Sequence, residues 1–122
     1  MTTYTFLLCT EPYKFEATDT LLNLCKGIIE KGHSIKGIFT FGSGVYNIKK
    51  NISTGVSTRN LPEKIEKFCQ EHDIPVAGCS TWVGLTGIKE ENFIDSGRDE
   101  GLGELSNWAY ESDKLIVFGT GG

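Results

Sequence analysis

The sequence predicts a small α/β sandwich with a parallel sheet. Two observations lead to this fold class. Short apolar segments alternate along the chain with segments whose apolar residues recur every three or four positions, which are the patterns of strands and helices. The chain has 122 residues, enough for one hydrophobic core and too few for two ordinary domains. Because strands that alternate with helices pair in parallel through right-handed crossovers, we expect a single domain over residues 1–122.

The first half of the chain is predicted to hold two strands around one helix. Thr18 or Asp19 is able to cap the start of this helix, and Gly32 is placed to end it. The apolar residues between them recur at spacings of three and four, which makes the helix amphipathic. The predicted elements are, in order, a strand at 3–9, a turn at 10–13, the helix at 17–31, a strand at 35–41 and a long loop at 42–60.

The second half is predicted to continue the alternation. Pro62 suits the first turn of a helix, where a missing N–H group does no harm. A very short apolar strand then leads into a helix that begins at Cys79 or Ser80. The predicted elements are a helix at 61–71, a strand at 75–78, the helix from 79 or 80, a polar and acidic loop or short helix at 89–101, a helix at 102–110 and a strand at 115–118.

Composition and charge argue against several classes of function. The net charge is −4, and no basic run is longer than Lys49-Lys50. Nucleic-acid binders usually show a basic face, so we expect no direct nucleic-acid partner. No apolar run approaches the ~18 residues of a membrane-spanning helix, and no secretory signal is visible. We therefore expect no membrane partner and a cytoplasmic location.

The cysteines are expected to stay reduced in that compartment. They lie at 9, 25, 69 and 79, no Cys-x-x-Cys pair occurs, and neither histidine has metal-ligand spacing. We therefore expect no metal and no other cofactor. Cys25 and Cys69 fall on the apolar faces of predicted helices, where core packing is the better interpretation.

The strongest candidate for chemistry is Cys79. In an open parallel sheet, ligands bind beyond the carboxyl ends of the strands, and Cys79 follows the third strand at that edge. A thiolate is stabilised at the start of a helix, Gly78 allows a sharp turn before it, and Ser80 follows. The alternative interpretation is a small buried hydrophobe, which is how most unpaired cysteines behave. Cys9 ends the first strand near the same edge, and we favour core packing for it.

A second candidate is the loop after the second strand. We expect Gly44, Tyr46 and Asn47 in this loop, with Tyr13 from the turn after the first strand, to help form a polar pocket wall. The alternative is simply a glycine-rich loop. The loop lacks the spacing of a Walker A motif, so nucleotide binding has weak support. Arg98 lies in the acidic stretch 95–100 and is expected to pair locally with carboxylates.

Four blocks of the sequence, spread over nearly the whole chain, match one known family. They are, in order, Glu11-Pro12-Tyr13 with 17–33, then 39–47, then the cysteine at 79, and then 101–105 with 113–118. With these blocks the chain resembles the DsrE family of small sulfur-trafficking proteins, and within it the TusD/DsrE subunits. The resemblance implies a single DsrE-like domain with a three-layer, flavodoxin/Rossmann-like α/β fold and a mainly parallel sheet of about four to five strands.

The resemblance also implies a chemistry and a set of partners. Cys79 would accept a sulfane sulfur as a persulfide and pass it to a partner's thiol, with sulfur donor and acceptor proteins as partners. The subunits of this family assemble into homotrimers or homohexamers, or into heterohexamers with sibling subunits. They tend to carry basic residues shortly after the cysteine, whereas residues 80–88 of this chain carry no charge.

The leading hypothesis is therefore a cytosolic sulfurtransferase or sulfur carrier with Cys79 as its nucleophile. Two alternatives are a non-catalytic subunit that holds an oligomer together and a small-anion binding module that uses the loop 42–47. The chain ends in Gly121-Gly122, a feature of ubiquitin-like sulfur carriers. Those proteins have a β-grasp fold, so we expect a loose end here.

Overall fold

One sheet with five strands organises the molecule, seen in a computed structural model that describes residues 1–56 and 58–119. The elements are β1 (Thr3–Leu8), α1 (Ala17–Glu30), β2 (Ser34–Thr40), a 3₁₀ helix (Gly42–Ile48), α2 (Leu61–Glu71), β3 (Val76–Cys79), α3 (Ser80–Thr86), a short 3₁₀ turn (Glu90–Asn92), β4 (Gly97–Glu100), α4 (Leu102–Tyr110) and β5 (Lys114–Phe118). The strand order is β4-β3-β2-β1-β5, and each pairing in this sheet is parallel. The predicted fold class is confirmed.

The two faces of the sheet carry different helices. The first face presents Phe6, Ile38 and Val76, which pack in one core cluster with side chains of α1, α2 and α3. The second face presents Phe39 and Ala77, which pack with α4. Because successive strand residues point to opposite faces, neighbours along each strand divide between these two clusters. Helices on both sides of one sheet make the three layers.

α4 packs on the second face through one large, buried side chain, with the partly buried Leu105 beside it. Trp108 is buried and packs edge-on against Phe39, with ring centroids 6.0 Å apart. Gly37 makes room for the indole ring, because a Cβ at this position would lie 2.5 Å from Trp108 Cζ3. The hydroxyl of Thr5 on β1 also donates to the Trp108 carbonyl at 3.2 Å.

α4 leaves part of the second face open. Leu7 on β1 pairs in register with Val117 on β5, and Thr5 pairs with Leu115. Leu115 is 44% exposed and Val117 is 54% exposed. An apolar strip therefore remains on the β1–β5 side of the sheet, and we call Leu7, Leu115 and Val117 the open strip.

Two segments predicted as irregular have regular structure. The stretch 97–100, predicted as part of a polar loop or short helix, is the edge strand β4. Its sequence is Gly-Arg-Asp-Glu, and an edge strand that pairs on one side only need not be apolar. The first part of the predicted loop 42–60 is a 3₁₀ helix, in which Val45 and Ile48 are fully buried.

The predicted cap of α1 is wrong. Its N-cap position is Glu16, in the left-handed region and without a side-chain capping bond. Thr18 lies inside the helix, where its buried hydroxyl donates to Asn47 Oδ1 at 2.7 Å. α2, by contrast, has a cap that was not predicted, since Asn60 accepts from the backbone N–H group of Glu63 at 3.0 Å.

The left-handed backbone of Gly32, at φ 81°, follows α1 as predicted. The expectation for Gly121-Gly122 lies outside the described residues. Within the described part of the chain, no helix combines the length and apolarity that crossing a bilayer requires.

Candidate functional site

Cys79 lies at the end of β3, next to β4, and the helices that follow these two strands pack on opposite faces of the sheet. It is the last residue of β3 and the N-cap of α3, which then crosses the first face. The adjacent strand, β4, is followed by α4 on the second face. Such a switch point opens a crevice at the carboxyl ends of the two strands, where α/β proteins bind their ligands. The prediction that a helix begins at Cys79 or Ser80 is confirmed, with Ser80 as its first residue.

The thiol points to the second face and is buried in the isolated chain. Cys79 is 3% exposed and belongs to a cluster with Phe39, Ala77 and Trp108. The half-buried Trp82 of α3 packs against the same cluster. The sulfur therefore lies at the carboxyl edge of the sheet and is almost wholly covered by neighbouring side chains.

Two charged residues share the face of the thiol. In the β3–β4 register, Cys79 pairs with Glu100 and Ala77 pairs with Arg98. Nε of Arg98 lies 3.0 Å from Oε1 of Glu100, which confirms the expected local ion pair. The guanidinium carbon of Arg98 also lies 5.7 Å from the centre of the Trp108 ring. Sequence reasoning did not connect this pair with Cys79, although the i, i+2 spacing of Arg98 and Glu100 fits one face of a strand.

Burial raises the pKa of each of the other three thiols. Burial raises the pKa of the Cys69 thiol to about 12. Burial, followed by the nearby Cys69, raises the pKa of Cys25 even further. Both lie in the main core, as predicted. Cys9 is half-buried just beyond β1, and burial raises its pKa as well.

The residues next to Cys79 have distinct environments. Gly78 is tightly packed on the first face, because a Cβ there would lie 2.8 Å from Cδ1 of Ile48 and 3.1 Å from Cγ2 of Val83. Ser80 is exposed at the start of α3. Gly78 therefore allows the 3₁₀ helix to approach β3, and Ser80 is the accessible neighbour of the thiol.

Two residues predicted for a pocket wall have structural roles instead. Asn47 is 0% exposed; its Nδ2 donates to the carbonyls of Thr10 and Gly44, each at 2.8 Å, and its Oδ1 accepts from Thr18. Gly44 lies against β1, since a Cβ at this position would be 2.2 Å from the Leu8 carbonyl oxygen. Both residues fasten the 3₁₀ helix to the edge of the sheet.

Tyr13 and Tyr46 do line a groove, which has a volume of about 710 Å³. The hydroxyl of Tyr13 donates to the Arg59 carbonyl and accepts from the Leu61 backbone N–H group. Cys79 is not among the residues that line this groove. The predicted residues thus belong to two separate places in the structure. Cys79 lies on the second face of the sheet, whereas Tyr13 and Tyr46 line the groove. In the described residues, no group of three His, Cys, Asp or Glu side chains is arranged to hold a metal ion.

The fold and the thiol define a class of protein: a small parallel α/β domain with a cysteine at the strand switch point. A family model described as the DsrE/DsrF-like family matches residues 2–118. The chain therefore belongs to the DsrE/DsrF-like family.

Relatives at modest identity cover almost the whole chain. DsrE of Allochromatium vinosum, whose name is that of a putative sulfurtransferase, is 26% identical in an alignment of 119 positions, which covers 88% of this chain and 92% of the relative. Sulfurtransferase TusD of Proteus mirabilis is 24% identical in an alignment of 127 positions, which covers 95% of this chain and 98% of the relative. Among solved structures, the ychN protein of E. coli superimposes with a TM-score of 0.82 at 21% identity, over 97% of this chain and 100% of that one.

Proposed function

We propose that the chain is a cytoplasmic sulfurtransferase or sulfur carrier that relays sulfane sulfur as a persulfide on Cys79. The observation that carries this proposal is the position of the thiol at the switch point between β3 and β4, in a chain of the DsrE/DsrF-like family. The names of the relatives, sulfurtransferase DsrE and sulfurtransferase TusD, support the reaction type. All four cysteines are free, which is the state that a reducing compartment maintains.

The proposed reaction is two successive exchanges at sulfur. The Cys79 thiolate attacks the outer sulfur of a donor persulfide, R–S–SH; the new S–S bond forms on Cys79, and the donor leaves as the thiolate R–S⁻. A thiolate of the acceptor protein then attacks the outer sulfur of the Cys79 persulfide and regenerates the Cys79 thiolate. No external oxidant or reductant is consumed, because one S–S bond is broken for each one formed.

This mechanism requires access to a buried sulfur. Trp82 packs half-buried against the cluster around Cys79 and makes an edge contact with Phe41, with ring centroids 5.9 Å apart. We propose that displacement of the Trp82 side chain, on docking of a donor or acceptor, exposes Sγ. Until then burial protects the persulfide from unrelated thiols.

The test is intact-mass spectrometry of the reduced protein after incubation with a small-molecule persulfide donor. We expect one or more added sulfur atoms, which peptide mapping places on Cys79 and which are absent from Cys79→Ser. Cys9→Ser is the matched control, since Cys9 is the other thiol near this edge. If sulfur adds equally well to Cys79→Ser, Cys79 is not the carrier and the non-catalytic subunit becomes the better hypothesis.

We also propose that the chain acts as an oligomer, either a homotrimer or homohexamer or a heterohexamer with sibling subunits. The open strip supports this, because Leu115 and Val117 are large apolar residues left on the sheet surface. Light scattering of the wild type and of Val117→Lys tests it. We expect an assembled wild type, or one that assembles with a sibling subunit, and a smaller species for the variant; a monomeric wild type that binds no such subunit would contradict the proposal.

A second candidate function is the binding of a small anion in the groove of Tyr13 and Tyr46. The observation in its favour is Lys49, which lines the groove and offers a positive charge, although Glu11 lines it as well. Inorganic phosphate and sulfate are the first probes, with the shift in thermal midpoint as the readout. A shift that disappears in Lys49→Gln supports this function, and the absence of any shift with either anion refutes it.

A further inference from the structure

The proposed reaction forms a negative charge on a sulfur atom that has little contact with solvent. Both the thiolate and the persulfide anion would form on Cys79, which is only 3% exposed. A buried anion is strongly disfavoured unless a cation or hydrogen-bond donors accompany it. α3, which begins directly after Cys79, carries no charged residue that could do this.

The neighbouring strand does carry such a charge. Arg98 and Glu100 lie on the face of β4 that continues the face of Ala77 and Cys79, because residues paired in register share a face. With strands about 4.8 Å apart and a rise of about 3.3 Å per residue, the Cα atoms of Cys79 and Arg98 are roughly 8 Å apart on the diagonal. This span is within the reach of an arginine side chain.

The side chain of Arg98 contacts two residues that neighbour Cys79. Its Nε lies 3.0 Å from Oε1 of Glu100, the register partner of Cys79, and its guanidinium carbon lies 5.7 Å from the ring centre of Trp108, which packs in the cluster of the thiol. Asp99 alternates to the first face. Glu104 lies in the first turn of α4 and is a further acidic group near this edge.

We propose, on the basis of the proposed function, that Arg98 supplies the positive charge that balances the Cys79 thiolate and its persulfide anion. Glu100 holds the guanidinium in place while Cys79 is uncharged. When the sulfur becomes anionic, the guanidinium gives up part of its interaction with Glu100 and interacts with the sulfur instead. Arg98 is then a charge-balancing residue of the sulfur site, contributed by a strand that follows Cys79 in the chain.

Two substitutions that break the same ion pair separate this role from a structural one. Arg98→Gln removes the positive charge and should raise the pH at which alkylation of Cys79 is half-maximal. Glu100→Gln removes the competing negative charge and should lower it. We expect shifts of about 0.5–1 pH unit in opposite directions, or three- to tenfold in thiolate fraction at a fixed pH. If the ion pair were purely structural, both variants would shift the midpoint of Cys79 alkylation in the same direction.

The assay follows the alkylation rate of Cys79 by peptide mapping across pH, in parallel with sulfur uptake at fixed pH. Lys36→Gln and Glu111→Gln are the matched controls, because they break another exposed ion pair with the same changes of net charge. Arg98→Lys retains the charge and should restore most of the wild-type profile. In the sulfur assay, Arg98→Gln should lower uptake by Cys79 three- to tenfold relative to the wild type.

Midpoints that move in the same direction in Arg98→Gln and Glu100→Gln would overturn the assignment. So would shifts no larger than those of the two controls. A wild type that takes up no sulfur while the midpoints still move oppositely would overturn the proposed function and support the charge assignment. Sulfur uptake by Cys79 that is the same in wild type and Arg98→Gln, with unmoved midpoints, would overturn only the role of Arg98.

Discussion

Replacing Asn47 with alanine tests whether this residue is structural or belongs to a pocket. The side chain is fully buried and makes three hydrogen bonds, to Thr10, Gly44 and Thr18, at 2.7–2.8 Å. Asn47→Ala leaves two carbonyls and one hydroxyl without their partner. At about 1 kcal/mol for each bond, the free energy of unfolding should fall by about 3 kcal/mol. For a domain of this size, the thermal midpoint should fall by roughly 10 °C.

Urea denaturation followed by far-UV circular dichroism measures the change. Asn47→Asp is a useful companion, because it keeps the shape but points a carboxylate at the two carbonyls; it should destabilise at least as much at pH 7. Tyr46→Ala is the control, since Tyr46 is the exposed neighbour in the same 3₁₀ helix and should change stability by less than ~0.5 kcal/mol. A loss below about 1 kcal/mol for Asn47→Ala would refute the reasoning.

Three further predictions follow from individual contacts. Gly44→Ala should destabilise the fold by several kcal/mol, whereas Gly103→Ala, in open space on α4, should be neutral or stabilising by up to ~1 kcal/mol; paired urea titrations compare them. Hydrogen bonds from Arg59 and Lys64 lower the pKa of Asp19 below its unfolded value. The stability gap between wild type and Asp19→Asn should therefore be fully present at pH 7, shrink as the pH falls below about 4 and be lost once the pH is below the folded-state pKa of Asp19; a gap that does not change with pH would contradict this. Trp82→Ala should speed alkylation of Cys79 severalfold relative to Trp82→Phe, and equal rates would show that Trp82 does not cover the thiol.

The parts of the fold that could be predicted from the sequence are those with a strong local pattern. α1 and α2 carry apolar residues at helical spacing, and their positions agree with the prediction to within one residue at each end. The apolar segments of β1, β2 and β5 were likewise found. In these elements the spacing of the apolar side chains indicates which face is buried.

β4 and the 3₁₀ helix could not be predicted because their structure depends on distant partners. Gly-Arg-Asp-Glu has no apolar alternation and becomes a strand only through its pairing with β3. The 3₁₀ helix is held by Asn47, whose partners Thr10 and Thr18 lie in other parts of the chain. A buried asparagine and an exposed one look the same in a sequence.

The candidate site was found in part. The strand end before Cys79 and the helix after it could be recognised locally, so its place at the edge of the sheet was predictable. The burial of the thiol and the register that sets Arg98 and Glu100 on its face depend on tertiary packing. Tyr46 and Asn47 are adjacent in sequence, yet one faces a groove and the other faces the core.

One measurement tests the central claim most directly: loading the protein with sulfane sulfur and then discharging it to an acceptor thiol. The protein is first incubated with a persulfide donor, freed of excess donor, and then mixed with an acceptor protein thiol, with both partners followed by intact mass and peptide mapping. The account predicts sulfur on Cys79 after loading, its loss from Cys79 on mixing, and its appearance on the acceptor, none of which occurs with Cys79→Ser. Sulfur that never reaches Cys79, or that the acceptor gains equally from Cys79→Ser, would contradict it.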